Sequence, residues 1–561
     1  MTRTAREWAD YHETLKPHER PMLPGSPATP DKSLPRRLAF AGVGLLVTLT
    51  GSLGNAVVTT NIQSLAGDLG VTTNEAAWLP VMFVMFNACM NLILIKFRQQ
   101  YGLRLFTQIF LSVYLAVAFA NLFVSDYGSI LTVRAVAGMA SAGLSSLGIL
   151  YLIQAFPAAH RLKGLILGIG AASFAIPLAR LFSPHLLQIA EWQGIYLFEL
   201  GMAMMALAAT FALKLPPSER LRVFEKLDFV TFALFAPGVA LLCAALGLGR
   251  LVWWTEAAWV GWALIGSIVL LTAALLVEYH RERPLINLRW MAGGDIVRLG
   301  LAILGVRIVL SEQTAGSVGF LQQMGVGTDQ LHGLFWVILL ATMAGALTSA
   351  FTMNVAKLWK PIAIALALIA VGAFMDSHAT VLTRPVNLFV SQALLAFAAA
   401  LFIGPAMMIG VVNMMQKGPQ NLVSFIVVFS IGQNVGGLAG SALVGTLETW
   451  REKFHSSQLA ESITMGDPDV VLRLQQLSGA YAHTVGDATA RNVAGLSLLQ
   501  QQVTQQAHVL AYNDVFLLIT IFAAIGSAWM TLTHLRPRFE AHRAAKADAQ
   551  NTEAAAAAVV D

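Results

Sequence analysis

The sequence predicts an all-α polytopic membrane protein, and three observations support this class. Apolar residues make up 56% of the 561 residues and charged residues only 12%, about half the charged share of an average globular protein. The apolar residues fall in runs of about 20, the length of a bilayer-crossing helix, and not in the alternating ten-residue segments of a membrane β-barrel. Lys and Arg are concentrated in every second connecting segment. Together these patterns exclude a soluble multidomain protein.

Fourteen apolar runs are long enough to cross a bilayer core of about 30 Å at a rise of about 1.5 Å per residue. We number them spans 1 to 14. In chain order they cover residues 38–59, 76–95, 105–124, 130–153, 164–186, 194–213, 229–249, 257–278, 298–320, 332–352, 361–378, 387–411, 422–446 and 513–534.

The distribution of positive charge predicts the orientation. With a cytoplasmic N-terminus, 27 of the 36 Lys and Arg residues fall in cytoplasmic segments, 6 in outer segments and 3 inside spans. Cytoplasmic loops of membrane proteins carry this excess of positive charge. The sequence therefore predicts a multi-pass protein of the inner (cytoplasmic) membrane with both termini in the cytoplasm.

The segments outside the spans are polar. Residues 1–37 lack the apolar core of a signal peptide, and residues 535–561 read as an Ala-rich cytoplasmic tail. The one long loop, 447–512, lies on the outer side; its leucines and Gln-rich stretch predict one or two amphipathic helices outside the membrane, and a plain linker is the alternative. Cys89 and Cys243 lie inside apolar runs, so neither a disulfide framework nor a cysteine metal site is expected.

No catalytic motif is present in the sequence. It lacks a phosphate-binding P-loop, the His-Glu-x-x-His zinc motif and the Gly-x-Ser-x-Gly nucleophile elbow. We therefore expect no enzyme activity, no metal or cofactor and no nucleic-acid partner. The proton gradient is the expected source of energy.

Five ionisable side chains lie at membrane depth, where each costs roughly 2.5–3.5 kcal/mol on insertion scales and is a functional candidate. Arg134, Arg180 and Glu199 occupy the outer halves of spans 4, 5 and 6. Similar depth on consecutive helices predicts an Arg180–Glu199 ion pair, which Arg134 can join. Such a pair is read either as part of a substrate or proton site or as a structural link within the first bundle.

Glu312 lies near the middle of span 9 and is the first candidate for proton coupling, with Glu199 as the second. Arg307 precedes Glu312 by five residues, about 7.5 Å along the axis and about 140° around the helix, so the two do not share a face. An unpaired carboxyl in an apolar setting favours its protonated form, which suits a group that gains and loses protons. A hydrogen-bonded structural Glu is the alternative.

Polar amides inside the spans, together with Arg134, Arg180 and Arg307, are candidates for the lining of a substrate cavity. Each amide alone can equally serve as an interhelical hydrogen bond. The amides are Asn87, Asn91, Gln322, Gln323, Gln392, Gln433 and Asn434. Gly432, Gly436 and Gly440 recur every four residues in span 13, a pattern that predicts close helix packing.

Several stretches resemble those of a known family, the fourteen-span drug–proton antiporters of the major facilitator superfamily (EmrB/QacA-like). The similarity extends over about 38–535. It rests on Ile130-Leu131-Thr132-Val133-Arg134 with Gly138, Phe224 to Asp228, Glu282 to Leu288, Phe320-Leu321-Gln322-Gln323 with Gly325 and Gly333, Gly436-Gly437 with Gly440, and Gln506-Ala507 with Asn513-Asp514 and Phe516.

The resemblance implies the major facilitator fold: two six-helix bundles at 38–213 and 298–534, with two extra helices in 214–297. It implies transport by alternating access around a central site. It further implies export of amphipathic compounds in exchange for protons, in some members together with a periplasmic adaptor and an outer-membrane channel.

The chain departs from the family pattern at the coupling positions. The acidic residue of span 1 is missing near Gly54-Asn55, and Gln99-Gln100-Tyr101 replaces the Asp-Arg before Gly102. Only Pro177 remains of the span-5 antiporter motif, where Arg180 intrudes. Gln433 and Ala137 stand where the family has Arg and Gln.

We therefore predict a proton-coupled efflux transporter for small amphipathic or aromatic toxic compounds, of the multidrug type. Two alternatives stay open. One is a dedicated exporter of an anionic metabolite or siderophore, because three arginines outnumber two glutamates within the spans. The other is an uncoupled transporter-like receptor or scaffold.

Overall fold

Helices form the regular structure of the protein. The computed structural model describes residues 11–21, 25–124 and 126–557, without the side chains of 185, 188–191, 419 and 536–557. Within those residues the only strand-like pairing is an isolated antiparallel bridge between Pro27 and Ser218. The predicted all-α class is confirmed.

Most spans are single helices whose ends lie within a few residues of the predicted limits, although the helix of span 13 continues past residue 446 to Ser462. Spans 1 to 4 are Leu34–Thr60, Trp78–Tyr101, Leu103–Ala120 and Tyr127–Gln154. Spans 7 and 8 are Lys226–Leu248 and Ala258–Tyr279. Spans 10 to 13 are His332–Thr352, Trp359–Asp376, Phe389–Lys417 and Leu422–Ser462.

Spans 5, 6 and 14 belong to composite or longer helices. Span 5 begins with Arg161–Ala171, passes through a 3₁₀ turn and enters the helix Ala175–Ala212, which contains Pro184 and also holds span 6. Span 14 lies within Ala488–Ala557. The described chain contains 13 helices long and apolar enough to cross a membrane.

Span 9 is the predicted span that is missing from those 13, because its helix is interrupted. Gly294–Val309 is followed by a π-helical turn, Glu312–Ser317, and then by the short helix Val318–Gln323. Single π-turns inside helices are rare and often mark functional sites. The turn places the carboxyl of Glu312 at the break.

The helices pack in two groups that meet along two seams. Span 4 packs against spans 1, 2 and 3, and span 6 packs on span 1; in the second half of the chain span 12 packs on spans 10 and 11, and span 14 on spans 11 and 13. Span 2 touches span 13 and span 5 touches span 10, which joins the groups. Span 7 pairs with span 8 and contacts both span 2 and span 13.

A buried ion network holds spans 7 and 8 to the first group of helices. Asp228, at the start of span 7, accepts a 2.7 Å bond from Lys96 of span 2 and a 2.9 Å bond from Arg281 after span 8. Arg281 also lies 2.6 Å from Glu278, which is fully buried and accepts backbone N–H groups of Leu285 and Ile286. Every charge is compensated, as a buried network requires.

The region 447–512 is helical. It consists of the end of Leu422–Ser462, the helix Pro468–Gly479 and the start of Ala488–Ala557. Two ion pairs connect the long helices: Arg451 Nε lies 2.6 Å from Asp514 Oδ2, and His508 Nδ1 lies 2.6 Å from Glu448 Oε1. These contacts fix the two helices side by side.

Residues 25–33 of the N-terminal segment dock against the C-terminal end of span 4. Ala28 and Thr29 are buried, and the carbonyl of Ala28 accepts a 2.8 Å bond from Gln154 at the end of span 4. Lys32 Nζ donates to Gln154 Oε1 at 2.6 Å and lies 4.8 Å from the ring centre of Phe40. Docking therefore removes part of the Lys32 ammonium from water.

We expect this docking to strengthen as the pH rises from about 8 toward 10.5. Burial lowers the pKa of Lys32 from 10.5 to about 8. Within this window the undocked segment keeps the Lys32 proton and the docked segment releases it, so docking gains free energy with rising pH; below about pH 8 both states are protonated and the gain is absent. Hydrogen–deuterium exchange of residues 25–33, corrected for the intrinsic rate at each pH, measures the effect.

Lys32→Gln removes the titrating group and should abolish the pH dependence of protection, whereas Lys357→Gln, at an exposed lysine, should preserve it. Equal protection at about pH 7.5 and about pH 9.5 in the unaltered protein would contradict this assignment.

Candidate functional site

Two buried carboxyl groups from different spans converge on one amide in the second group of helices. Glu312 comes from the π-turn of span 9 and Asp376 from the end of span 11, and they are 0% and 1% exposed. Gln392 of span 12 is also 0% exposed; its Nε2 lies 2.8 Å from Asp376 Oδ2 and 3.2 and 3.4 Å from the two carboxyl oxygens of Glu312. We call these three residues the acid cluster.

The acid cluster has no compensating cation. Within the described part of the chain, no Lys, Arg or His forms an ion pair with Glu312 or Asp376. Two carboxylates that share a buried site repel each other, and a proton on one of them relieves both the repulsion and the loss of hydration. Chemically, the cluster is suited to hold one proton and to exchange it.

Aromatic and small residues surround the π-turn. Phe516 of span 14 packs so close to Gly316 that a Cβ there would lie 2.9 Å from its ring. Phe320 and Tyr512 stack edge to face near by, with ring centres 5.7 Å apart. This packing leaves Glu312 fully buried, with Gln392, Asp376 and Ser317 as its polar neighbours.

A second buried site lies in the first group of helices. Arg134 of span 4 is 0% exposed; its Nη2 donates to the carbonyl of Gly54 at 3.0 Å and to Asn55 Oδ1 at 3.2 Å. Its Nη1 lies 3.8 Å from Glu199 Oε2. Tyr114 of span 3 donates to Glu199 Oε1 at 2.7 Å. Spans 1, 3, 4 and 6 therefore meet at one compensated ion pair.

Gly54 provides the space for this site. A Cβ at position 54 would lie 2.3 Å from the Tyr114 hydroxyl and 2.4 Å from Glu199 Oε1, distances that no side chain tolerates. The carboxyl of Glu199 in span 6 thus fills the volume beside Gly54 of span 1.

The predicted Arg180–Glu199 ion pair is wrong, because Glu199 pairs with Arg134. Arg180 instead places its guanidinium 5.6 Å from the ring centre of Phe335 in span 10. Its Nε and Nη1 are buried and have no hydrogen-bond partner among the described residues. Span 5 turns Arg180 toward the other group of helices, which depth along the helix alone could not indicate.

Arg307 and the polar residues of span 13 lie where spans 9 and 13 pack. Arg307 Nε donates to the carbonyl of Gln433 at 3.2 Å, and a Cβ on Gly437 would lie 3.1 Å from Arg307 Nη2. The glycine face of span 13 therefore accommodates the arginine. Asn434 bonds to Ser430 of its own helix at 3.3 Å.

The remaining predicted amides occupy separate places. Asn87 donates to the carbonyl of Gly138 at 3.3 Å and links spans 2 and 4. Asn91 bonds to the carbonyl of Asn87 in its own helix at 2.9 Å, and Gln322 is exposed at the end of span 9. Asn87 thus has the interhelical role given as the alternative, and Gln392 belongs to the acid cluster.

A cavity with an empty volume of about 1010 Å³, part of it open to solvent, lies between the two groups at the end where the N-terminal segment docks. Spans 2, 4 and 5 form one wall and spans 12 and 13 the other, and Ser26, Pro27 and Thr29 of the docked segment contribute to its mouth. None of the ten predicted substrate-cavity residues is among its described lining residues. Their part in substrate contact stays a prediction.

Sequence reasoning missed Asp376, Tyr114 and Arg98. Asp376 is two residues from the predicted end of span 11, a position that normally faces the lipid headgroups. Tyr114 carries no formal charge and was not distinguishable from a membrane aromatic. Arg98 falls beyond the predicted end of span 2 at residue 95, but the helix continues to Tyr101 and buries Arg98 to 8% exposure.

Comparisons with known proteins agree with this architecture. No protein-family model matches the chain. It is 21% identical over 506 residues, 86% of this chain and 91% of the relative, to the uncharacterized MFS-type transporter YhcA of Bacillus subtilis (strain 168). The crystal structure of the human organic anion transporter MFSD10 (TETRAN) aligns with a TM-score of 0.52 at 14% identity, covering 88% of this chain and all of that one.

The helical architecture and the aligned human structure establish the major facilitator fold. Together with the relative that matches over most of both chains, they define a multi-pass membrane transporter of the major facilitator superfamily, a class of secondary transporters for small molecules and not of enzymes.

Proposed function

We propose that the protein exports small amphipathic compounds from the cytoplasm in exchange for protons, by alternating access of the two helix groups. The observation that carries this proposal is the acid cluster: two carboxyls and one amide, buried at a break in span 9 without a cation. One proton crossing 100 mV supplies about 2.3 kcal/mol, enough for roughly a fiftyfold substrate gradient.

In this proposal Glu312 is the proton carrier and Asp376 its partner. The proton enters from the outer side, is held between the two carboxyls, and leaves toward the cytoplasm as the substrate moves outward. Glu199 is the weaker candidate, because Arg134 and Tyr114 already compensate its carboxyl. The Arg134–Glu199 site then has a structural role and holds spans 1, 3, 4 and 6 together.

The setting of the protein is part of the proposal. The excess of Lys and Arg in alternate segments supports the cytoplasmic membrane with both termini in the cytoplasm. The helical region 447–512, fixed by two ion pairs, supplies a rigid surface on the outer side. A periplasmic adaptor linked to an outer-membrane channel could bind there, as in the family that the sequence resembles.

Proton flux in inside-out vesicles tests the function. An acid-inside gradient is followed with a quenched dye while cationic, neutral and anionic amphiphiles of equal chain length are added. Export by exchange predicts that at least one of them discharges the gradient only in vesicles that contain the protein. Contradiction would come from an amphiphile that instead enters right-side-out vesicles together with protons, which is uptake by symport.

An uncoupled receptor or scaffold would bind an amphiphile without moving it or the proton. The same vesicles distinguish this alternative, because binding to the protein would then occur without any change in the gradient. The buried and uncompensated acid cluster favours the coupled transporter, since a scaffold has no use for a group that costs stability.

A further inference from the structure

The ionisable residues that line the cavity beside the docked N-terminal segment are all positively charged. These two residues are Arg98 and Arg161, and the described lining of the cavity contains no Asp or Glu. Arg161 is engaged: its guanidinium donates to the backbone carbonyls of Ala158, Arg20 and His18 at 2.9, 3.1 and 2.6 Å. Arg98 is therefore the cation whose charge faces the cavity without compensation.

The guanidinium of Arg98 has few polar partners among the described residues. Arg98 is 8% exposed, and its Nη1 donates to Ser146 Oγ of span 4 at 3.3 Å. Its Nε is buried and has no partner among the described residues, and no carboxylate of the described chain pairs with it. A buried guanidinium with open donors is costly unless an anion occupies it, and a carboxylate fits its planar fork.

The opposite wall is apolar and adaptable. Met407, Met414 and Met415 line it together with Phe425 and Val411. Methionine side chains are flexible and polarisable and repack around ligands of different shape. The cavity, with an empty volume of about 1010 Å³ that includes open solvent, is concave and mostly apolar, as small-molecule sites usually are.

We propose that this cavity binds an amphipathic monoanion, with its anionic head on Arg98 and its apolar tail along the methionine wall. The proposal rests on the proposed export function and names its substrate class. It also predicts that the cavity binds anionic amphiphiles in preference to cationic ones, because a cation there would meet two arginines and no carboxylate. The head can belong to a free carboxylate or to an anionic lipid.

Radiolabelled decanoate binding to the purified protein in nanodiscs of zwitterionic lipid tests this site. Unlabelled decanoate should displace the label at concentrations at least about tenfold below those of decanol or decyltrimethylammonium, because the tail is shared and a charge-assisted hydrogen bond distinguishes the head. Equal competition by the cation or the alcohol would overturn the proposal. Displacement by dihexanoyl phosphatidylglycerol below the concentration of decanoate would support the site and assign its anion to lipid.

Variants locate the binding at Arg98. Arg98→Gln should weaken decanoate binding at least about tenfold and Arg98→Lys should restore part of it, while Arg104→Gln, at an exposed cytoplasmic arginine, should change nothing. Unchanged binding in Arg98→Gln would refute the assignment. If that variant does not fold, Ser146→Asp supplies an internal carboxylate beside Arg98 and should displace decanoate; unaltered binding there is equally decisive.

This assay uses no proton gradient, so its result is separate from that of the coupling test. Gradient discharge that depends on Glu312 without decanoate binding would leave the proposed export standing and remove only the anion site.

Discussion

Glu312→Gln is expected to abolish amphiphile-dependent proton flux in inside-out vesicles, down to the level of vesicles without the protein. The amide keeps the size of the side chain and can still bond to Gln392, which lies 3.2 Å from Glu312 Oε1, but it cannot take up or release a proton. Binding of the amphiphile should persist, because the cavity that contains Arg98 does not include residue 312. Loss of flux with retained binding is the mark of a coupling residue.

Two further variants make this result specific. Asp376→Asn should keep measurable flux, because Glu312 can still exchange a proton without its partner. Glu256→Gln, at an exposed carboxyl between spans 7 and 8, should behave like the unaltered protein. Normal flux in Glu312→Gln would remove the acid cluster from the mechanism, even if the protein still transports.

The second large effect is expected on stability. Arg134→Gln removes the cation beside Glu199 and leaves a 5% exposed carboxyl with Tyr114 as its hydrogen-bond donor. Breaking a buried ion pair in this way typically costs about 3–5 kcal/mol, because the surviving charge is uncompensated. A thermal melt of the purified protein should show a clearly lower Tm, and less folded protein should be recovered from membranes.

The double variant Arg134→Gln/Glu199→Gln separates charge from packing. It removes the uncompensated carboxyl, so a large part of the lost Tm should return. Arg134→Lys keeps the charge but reaches fewer of the acceptors on Gly54 and Asn55, and its loss should be smaller than that of Arg134→Gln. A double variant as unstable as the single one would show that the ion pair is not the source of the effect.

Span positions were predictable because composition and length decide them. An apolar run of about 20 residues must cross the bilayer as a helix, since backbone groups have no other partner in lipid. The same argument cannot find the interruption of span 9, because Glu312-Gln313-Thr314 differs from its neighbours only in polarity and the π-turn packs against residues distant in sequence, among them Phe516 of span 14. The argument from run length also placed Arg98 in a loop, although the helix of span 2 extends to Tyr101.

Partners of buried charges were the least predictable part of the site. Position along span 6 predicted that Glu199 lies at the same depth as an arginine. Which arginine it pairs with depends on helix rotation and on the space that Gly54 leaves. Glu312 could be singled out as unpaired from sequence alone. Its companions Asp376 and Gln392 come from spans 11 and 12, and only the packed structure brings them together.

Infrared spectroscopy of the buried carboxyls tests the central claim most directly, because it needs neither substrate nor gradient. The acid cluster predicts a protonated carboxyl carbonyl band at neutral pH that exchanges slowly in deuterated water and disappears in Glu312→Gln/Asp376→Asn. The same band should survive in Glu199→Gln. If the neutral-pH spectrum of the unaltered protein and that of the double variant are identical in this region, both carboxyls are ionised and the cluster holds no proton to exchange.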